Sequence, residues 1–154
     1  MRYIALLTMA VVGASASATS LSAILTSDNA FTAYVSTDDS VEGTEFASGH
    51  NWPQQFTGSI ELTPGVTNYL HIKAFNDGGP SMFIGSFTLS DSNARFANGT
   101  QSLVTNTTEW QGNLTGFGGA YTAPVDLGGD GTSPWGNFPD IAFGLQQQHS
   151  GSSE

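Results

Sequence analysis

From Leu21 onward, apolar and polar side chains alternate with period two, and no window carries apolar residues at i, i+3, i+4 and i+7 for long enough to make an amphipathic helix. Leu21, Ala23 and Leu25 alternate with Ser22, Ile24 and Thr26, and Phe31, Ala33 and Val35 with Thr32, Tyr34 and Ser36, which predicts two strands. Between Phe56 and Leu62, the side chains of Phe56, Gly58, Ile60 and Leu62 share one face and Thr57, Ser59 and Glu61 the other, the pattern of a half-buried antiparallel strand. Thr63-Pro64-Gly65 ends it as a turn. From Tyr69 to Phe75, Leu70, Ile72 and Ala74 form the expected core face, while Tyr69, His71, Lys73 and Phe75 form an aromatic and charged face expected to be wet. Asn76-Asp77-Gly78-Gly79-Pro80 is a turn cluster, because its glycines accept positive φ and its proline cannot enter a central strand. Met82 to Leu89 predicts a further strand, with Gly85 marking a bulge or a close backbone approach. Arg95-Phe96 and Leu103-Val104 read as shorter strands, and beyond Trp110 the glycines make the chain turn-dominated. Short strands at regular spacing with turn chemistry between them predict an all-β fold, a two-sheet antiparallel β-sandwich of the jelly-roll kind. An α/β fold would need crossover helices that this pattern does not supply.

The first eighteen residues follow a different rule. Arg2 precedes an apolar run from Tyr3 to Gly13, small residues follow from Ala14 to Ala18, and Ala16-Ser17-Ala18 fits an A-x-A cleavage site. This predicts a secretory signal peptide over residues 1–18, since the run is shorter than the roughly 20 residues of a membrane-spanning helix. The expected organisation is then a leader at 1–18, a β-sandwich at 19–145 and a disordered tail at 146–154. That tail offers no closing strand, sorting signal or anchor, so the chain is expected to be truncated or diverged there, with an unpaired sheet edge.

Composition narrows the partners. Thirteen Asp or Glu against three Lys or Arg give a formal net charge of −10, which repels nucleic acid and anionic membrane surfaces. No membrane insertion is expected once the leader is removed, and Lys73 and Arg95 would be the only fixed positive charges left. With no Cys there is no disulfide framework, thiolate metal site or Cys nucleophile, so stability must come from a core that 10 Phe, 4 Tyr and 3 Trp can fill. Export without disulfides favours a bacterial source and a secreted, extracellular or cell-surface location. Three sequons, Asn98-Gly99-Thr100, Asn106-Thr107-Thr108 and Asn113-Leu114-Thr115, would be glycan acceptors in a eukaryotic secretory pathway and are read as a surface-loop signal.

The run Asp28-Asn29-Ala30-Phe31-Thr32-Ala33-Tyr34-Val35, then Asn51-Trp52, Pro64-Gly65 and Lys73-Ala74-Phe75-Asn76-Asp77-Gly78-Gly79-Pro80, resembles the galactose-binding-like jelly-roll modules of exported proteins, many of them bacterial. The resemblance covers Leu21 to Leu89 as an ordered pattern. It implies a sandwich that is usually non-catalytic, and it does not imply a particular ligand. The chain departs from that pattern at Ser36 to Gly43, where an acidic loop replaces a short N-G turn.

No catalytic constellation emerges. His50, His71 and His149 lie on three separate segments without metal-ligand spacing, no G-x-S-x-G elbow occurs, and the many carboxylates single out no glycosidase pair. The chain is therefore not expected to be an enzyme. Asp126 and Asp130, spaced by glycines, could place oxygen ligands on a structural calcium ion, with Asp38-Asp39-Ser40-Val41-Glu42 as a second acidic cluster; a solvated acidic turn is the competing account of both. No other cofactor is expected. Sugars stack their C–H faces on aromatic rings while amides, carboxylates and imidazoles hold the hydroxyls. His50, Asn51, Trp52, Trp110, Gln111 and Trp135 combine these groups in turn-like sequence; Trp52, next to Pro53 and before a strand, reads as a core plug, and Trp110, Asn51 and His50 are the expected contacts, with a core plug the competing account of Trp110 and Trp135. The expected function is a secreted, non-catalytic module that binds carbohydrate or an extracellular-matrix polymer, the alternative being a structural surface protein without a small-molecule site. Its oligomeric state is left open.

Overall fold

A computed structural model of the chain describes residues 2–6, 18–141 and 144–148. Among the described residues there are eleven strands: β1 (Arg2–Leu6), β2 (Ser20–Asp28), β3 (Ala30–Ser36), β4 (Thr44–Gly49), β5 (Phe56–Glu61), β6 (Tyr69–Asn76), β7 (Met82–Leu89), β8 (Ser102–Val104), β9 (Gly112–Asn113), β10 (Val125–Gly129) and β11 (Leu145–Gln148). They form a five-stranded sheet, β4-β3-β6-β1-β9, and a six-stranded sheet, β10-β11-β7-β2-β5, with β8 also paired to β7. All pairings are antiparallel. The fold is the two-sheet β-sandwich that the period-two pattern predicts.

The alternation places the core. Leu21, Ala23 and Leu25 of β2, Phe31, Ala33 and Val35 of β3, Leu70, Ile72 and Ala74 of β6, and Phe83, Phe87 and Leu89 of β7 fill the space between the sheets. Because successive strand residues point to opposite faces, a one-residue slip in β2 or β7 would bury exposed Ser22 or Thr88 instead. Gly85 is a close approach and not a bulge: the β2–β7 register runs through it without a shift, and a Cβ there would sit 2.9 Å from the Leu25 Cβ.

Four segments differ from expectation. Thr44–Gly49 is a strand paired with β3 through a bulge, although its sequence does not alternate cleanly. Arg95-Phe96 is not a strand; Phe96 is buried in the core beside the Ala97-Asn98-Gly99 turn. Within the turn-dominated region, Val125–Gly129 pairs with Leu145–Gln148, and Gln147 pairs with Phe83, so Gln146 to Gln148 supply a closing strand where a disordered tail is expected. The glycines of β10 hide it from a hydrophobicity pattern, because strand pairing is a backbone property. Finally, the aromatic face of β6 is wet only in part: Tyr69, Lys73 and Phe75 are half-buried, but His71 is completely buried, because the 36–43 and 114–121 loops fold over it. The rest of the expected tail, 149–154, lies outside the described residues. In the expected leader, Arg2–Leu6 pairs with β6 over Arg2↔Asn76 to Leu6↔Ile72, and residues 7–17 lie outside the described residues.

Candidate functional site

A second, smaller core sits on the outer face of the six-stranded sheet. Ile24, Met82 and Ile84 project outward from β2 and β7, and Trp135, Phe138 and Ile141 pack down on them, with Trp52 and Leu127 at the margin. The segment 130–141 that brings these rings has no regular structure. It is held by successive backbone turns: Thr132 N donates to Gly129 O, Trp135 N to Thr132 O, and Ile141 N to Phe138 O, at 3.0–3.1 Å. Gly131 has φ of 96°, a left-handed conformation that favours glycine, and the Asn137 carboxamide occupies the space a Cβ would take.

Trp135 anchors this layer. Its indole Nε1–H donates to Asp28 Oδ2 at 2.9 Å in a buried setting. Burial pushes the Asp28 carboxyl above its ordinary range, and the indole N–H pulls it partly back.

Above the small core lies a cleft of about 570 Å³, within the size range of small-ligand sites. Gly129, Asp130, Asn137, Pro139, Asp140 and Ile141 line it. One oxygen of each carboxylate is used for positioning: Asp130 Oδ1 accepts from Phe138 N at 2.9 Å, and Asp140 Oδ2 from Gln55 Nε2 at 2.7 Å. Asp140 N donates back to Gln55 Oε1 at 3.0 Å, tying the cleft to the 50–55 loop. The remaining oxygens of Asp130 and Asp140, with the Asn137 amide, are polar groups suited to hydroxyls, while Pro139 and Ile141 give the wall an apolar part.

The site residues expected from sequence divide accordingly. Asp130 lines the cleft. Trp52 is half-buried against the small core, its carbonyl accepting from Thr26 Oγ1 at 3.0 Å, and His50 and Asn51 are exposed in the same loop. Trp135 is corrected from contact residue to anchor, since it is 8% exposed and its N–H is spent on Asp28. Trp110 is corrected fully: it is 0% exposed, lies 5.2 Å from both Phe83 and Phe87 between ring centroids, and donates its N–H to Val104 O. No face of its ring is open to a ligand. Gln111 is exposed beside β9 and is not among the cleft residues. Asp126 accepts from Gly128 N at 2.7 Å within its own turn, and it does not line the cleft that Asp130 enters. Among the described residues, no group of three or more His, Asp or Glu is assembled to hold a metal.

Asn137, Asp140 and Gln55 were not singled out in the sequence. Gln55 and Asp140 are 85 residues apart, and no local pattern announces their contact. A second assembly was missed for the same reason, on the outer face of β6. His71 Nδ1–H donates to Glu42 O, Nε2 faces Asp39 Oδ1, both at 3.2 Å, and the ring stacks on Phe117 at 4.2 Å. Tyr121 O–H donates to the same Asp39 oxygen, and Lys73 pairs with Glu42. Asp38 is held below its ordinary range by hydrogen bonds from Ser40 Oγ and N, with His71 adding a little. This assembly clamps two loops to the sheet.

The described residues form an all-β sandwich with an open cleft of mixed apolar and polar lining on the outer face of one sheet. No protein-family model matches the chain, and no curated protein matches it. Two solved structures share its fold. The Pleurotus ostreatus lectin in its apo form superimposes with a TM-score of 0.67 at 21% identity, covering 88% of this chain and 39% of that one. The lectin from Pleurotus ostreatus in complex with GalNAc gives 0.63 at 20%, with the same coverage. This chain thus spans 39% of the length of those lectin chains. The likeness is one of fold.

Proposed function

We propose that this protein is an exported, non-catalytic carbohydrate-binding module that holds a sugar in the 570 Å³ cleft. The convergence of Asp130, Asn137 and Asp140 on that cleft carries the proposal. Carboxylate oxygens accept pairs of sugar O–H groups, the amide both donates and accepts, and half-buried Trp52 at the adjoining loop offers a ring edge to a longer saccharide. The fold shared with lectins, one of them solved with GalNAc, supports the same chemistry. The 1–18 leader and an extracellular location belong to this proposal. Leader and strand are exclusive uses of the same residues: cleavage after Ala18 removes Arg2–Leu6 and bares the backbone edge of β6 along Ile72 to Asn76.

The test is calorimetric titration of the purified protein with galactose, GalNAc and a panel of polysaccharides, alongside Asp140→Asn. Saturable heat that weakens in the variant supports the proposal. Flat titrations against every sugar overturn it and return the chain to a structural surface role.

A further inference from the structure

We infer that Asn98 is an N-glycan acceptor, and that of the three sequons it is the one whose glycan the folded protein accommodates. This rests on the export reading, because the transfer takes place in a secretory compartment. The chemistry occurs at the side-chain nitrogen. Asn Nδ2 forms a bond to the anomeric carbon of a lipid-diphosphate-linked oligosaccharide, the carbon–oxygen bond to the diphosphate breaks, the lipid diphosphate leaves with the electron pair, and Nδ2 gives up one of its two protons. Transfer acts on an extended chain, so the fold decides which glycan-bearing chains can still close.

The three acceptor nitrogens sit in different surroundings. Asn98 is exposed in the turn between Phe96 and Thr100, which Phe96 N→Thr100 O and Gly99 N→Phe96 O close at 2.8 Å each. Its Oδ1 accepts from Thr100 N at 3.0 Å and from Thr100 Oγ1 at 2.7 Å. These bonds orient the carboxamide through its oxygen and leave Nδ2 with no hydrogen-bond partner among the described residues. Asn106 is half-buried and engaged at both ends: Oδ1 accepts from Thr108 N and Glu109 N, and Nδ2 donates to Val104 O at 3.0 Å. Asn113 is 6% exposed, and its Nδ2 is a buried atom that would lie 3.1 Å from a Cβ at Gly119. A sugar on that nitrogen has no room unless the 113–119 turn opens.

The experiment is expression of the full chain in a yeast secretory host, with glycopeptide mass mapping of secreted protein before and after amide-glycosidase treatment. One occupied site at Asn98 is expected. Asn98→Gln should abolish the glycan, whereas Thr108→Ala and Thr115→Ala, which destroy the other sequons while keeping Asn106 and Asn113 in place, should retain it. Secreted protein with Asn98 bare, or with a glycan on Asn106 or Asn113, overturns the inference. A parallel chain with the host's own leader before Met1 separates the two premises. If only that chain is secreted and carries the Asn98 glycan, the export reading fails and the acceptor stands.

Discussion

Replacing Trp135 by Phe keeps a ring over Met82 and Ile84 but removes the N–H that reaches Asp28 Oδ2 at 2.9 Å. A hydrogen bond to a charged group contributes about 1.5–3 kcal/mol. The smaller ring adds a cavity term of about 1 kcal/mol, so the loss at neutral pH is about 2.5–4 kcal/mol. The pH dependence is more discriminating than the magnitude. Burial holds the Asp28 carboxyl above its ordinary 3.8, and the indole N–H opposes that rise, so its removal lets the folded pKa climb further. A carboxyl raised on folding penalises the native state fully above its folded pKa, and the penalty fades as pH falls toward the unfolded value. The deficit of Trp135→Phe is therefore largest near neutrality and shrinks as the pH approaches 3.8. Urea unfolding followed by far-ultraviolet circular dichroism, at about pH 7 and about pH 4, measures both ends of that range. In an Asp28→Asn background the pH-dependent part should vanish. A deficit that is the same at both pH values, or unchanged by Asp28→Asn, refutes the pairing as the source of stability.

Asp140→Asn keeps the shape of the cleft and removes a charged acceptor, so sugar affinity should fall by about tenfold, on the order of 1.4 kcal/mol, while the exposed position leaves the melting temperature nearly unchanged. Gly58→Ala should cost about 1–3 kcal/mol in urea unfolding, because its Cβ would meet the Phe46 carbonyl oxygen at 2.5 Å and the Ala47 Cβ at 2.6 Å. His71→Ala removes the ring stacked on Phe117 and both of its polar contacts; proteolysis within 36–43 and 114–121 should accelerate by about tenfold or more, and an unchanged cleavage pattern would show that the clamp does not hold those loops. Chelator treatment should leave the melting temperature where it was, since Asp126 and Asp130 serve different turns; a drop of several degrees would restore the calcium expectation.

The sandwich was legible in the sequence because burial between two sheets imposes period two on each strand. Leu21, Ala23 and Leu25, or Leu70, Ile72 and Ala74, state which face points inward without reference to any partner. The turns at Pro64-Gly65 and Gly78-Gly79 were equally readable, since they depend on the local φ that glycine and proline allow. The same local logic reached Asp130 and the 50–52 loop as places of interest, but it ordered the tryptophans wrongly, reading Trp52 as the core plug and Trp110 as a contact. Hydrophobic size says only that a ring can be buried. Whether it fills the main core as Trp110 does, anchors a surface layer as Trp135 does, or lies half open as Trp52 does depends on which strands flank it in space.

Tertiary structure alone decided the cleft and the clamp. Asp140 is held by Gln55 from across 85 residues, and His71 is buried by loops that leave no trace in the alternation of β6. Strands β10 and β11 were hidden for a related reason: backbone pairing needs no particular side chain, so Val125–Gly129 and Leu145–Gln148 join the sheet on hydrogen bonds that glycine and glutamine supply as well as valine. Local periodicity thus determined which residues face inward, and long-range contact determined which polar groups meet.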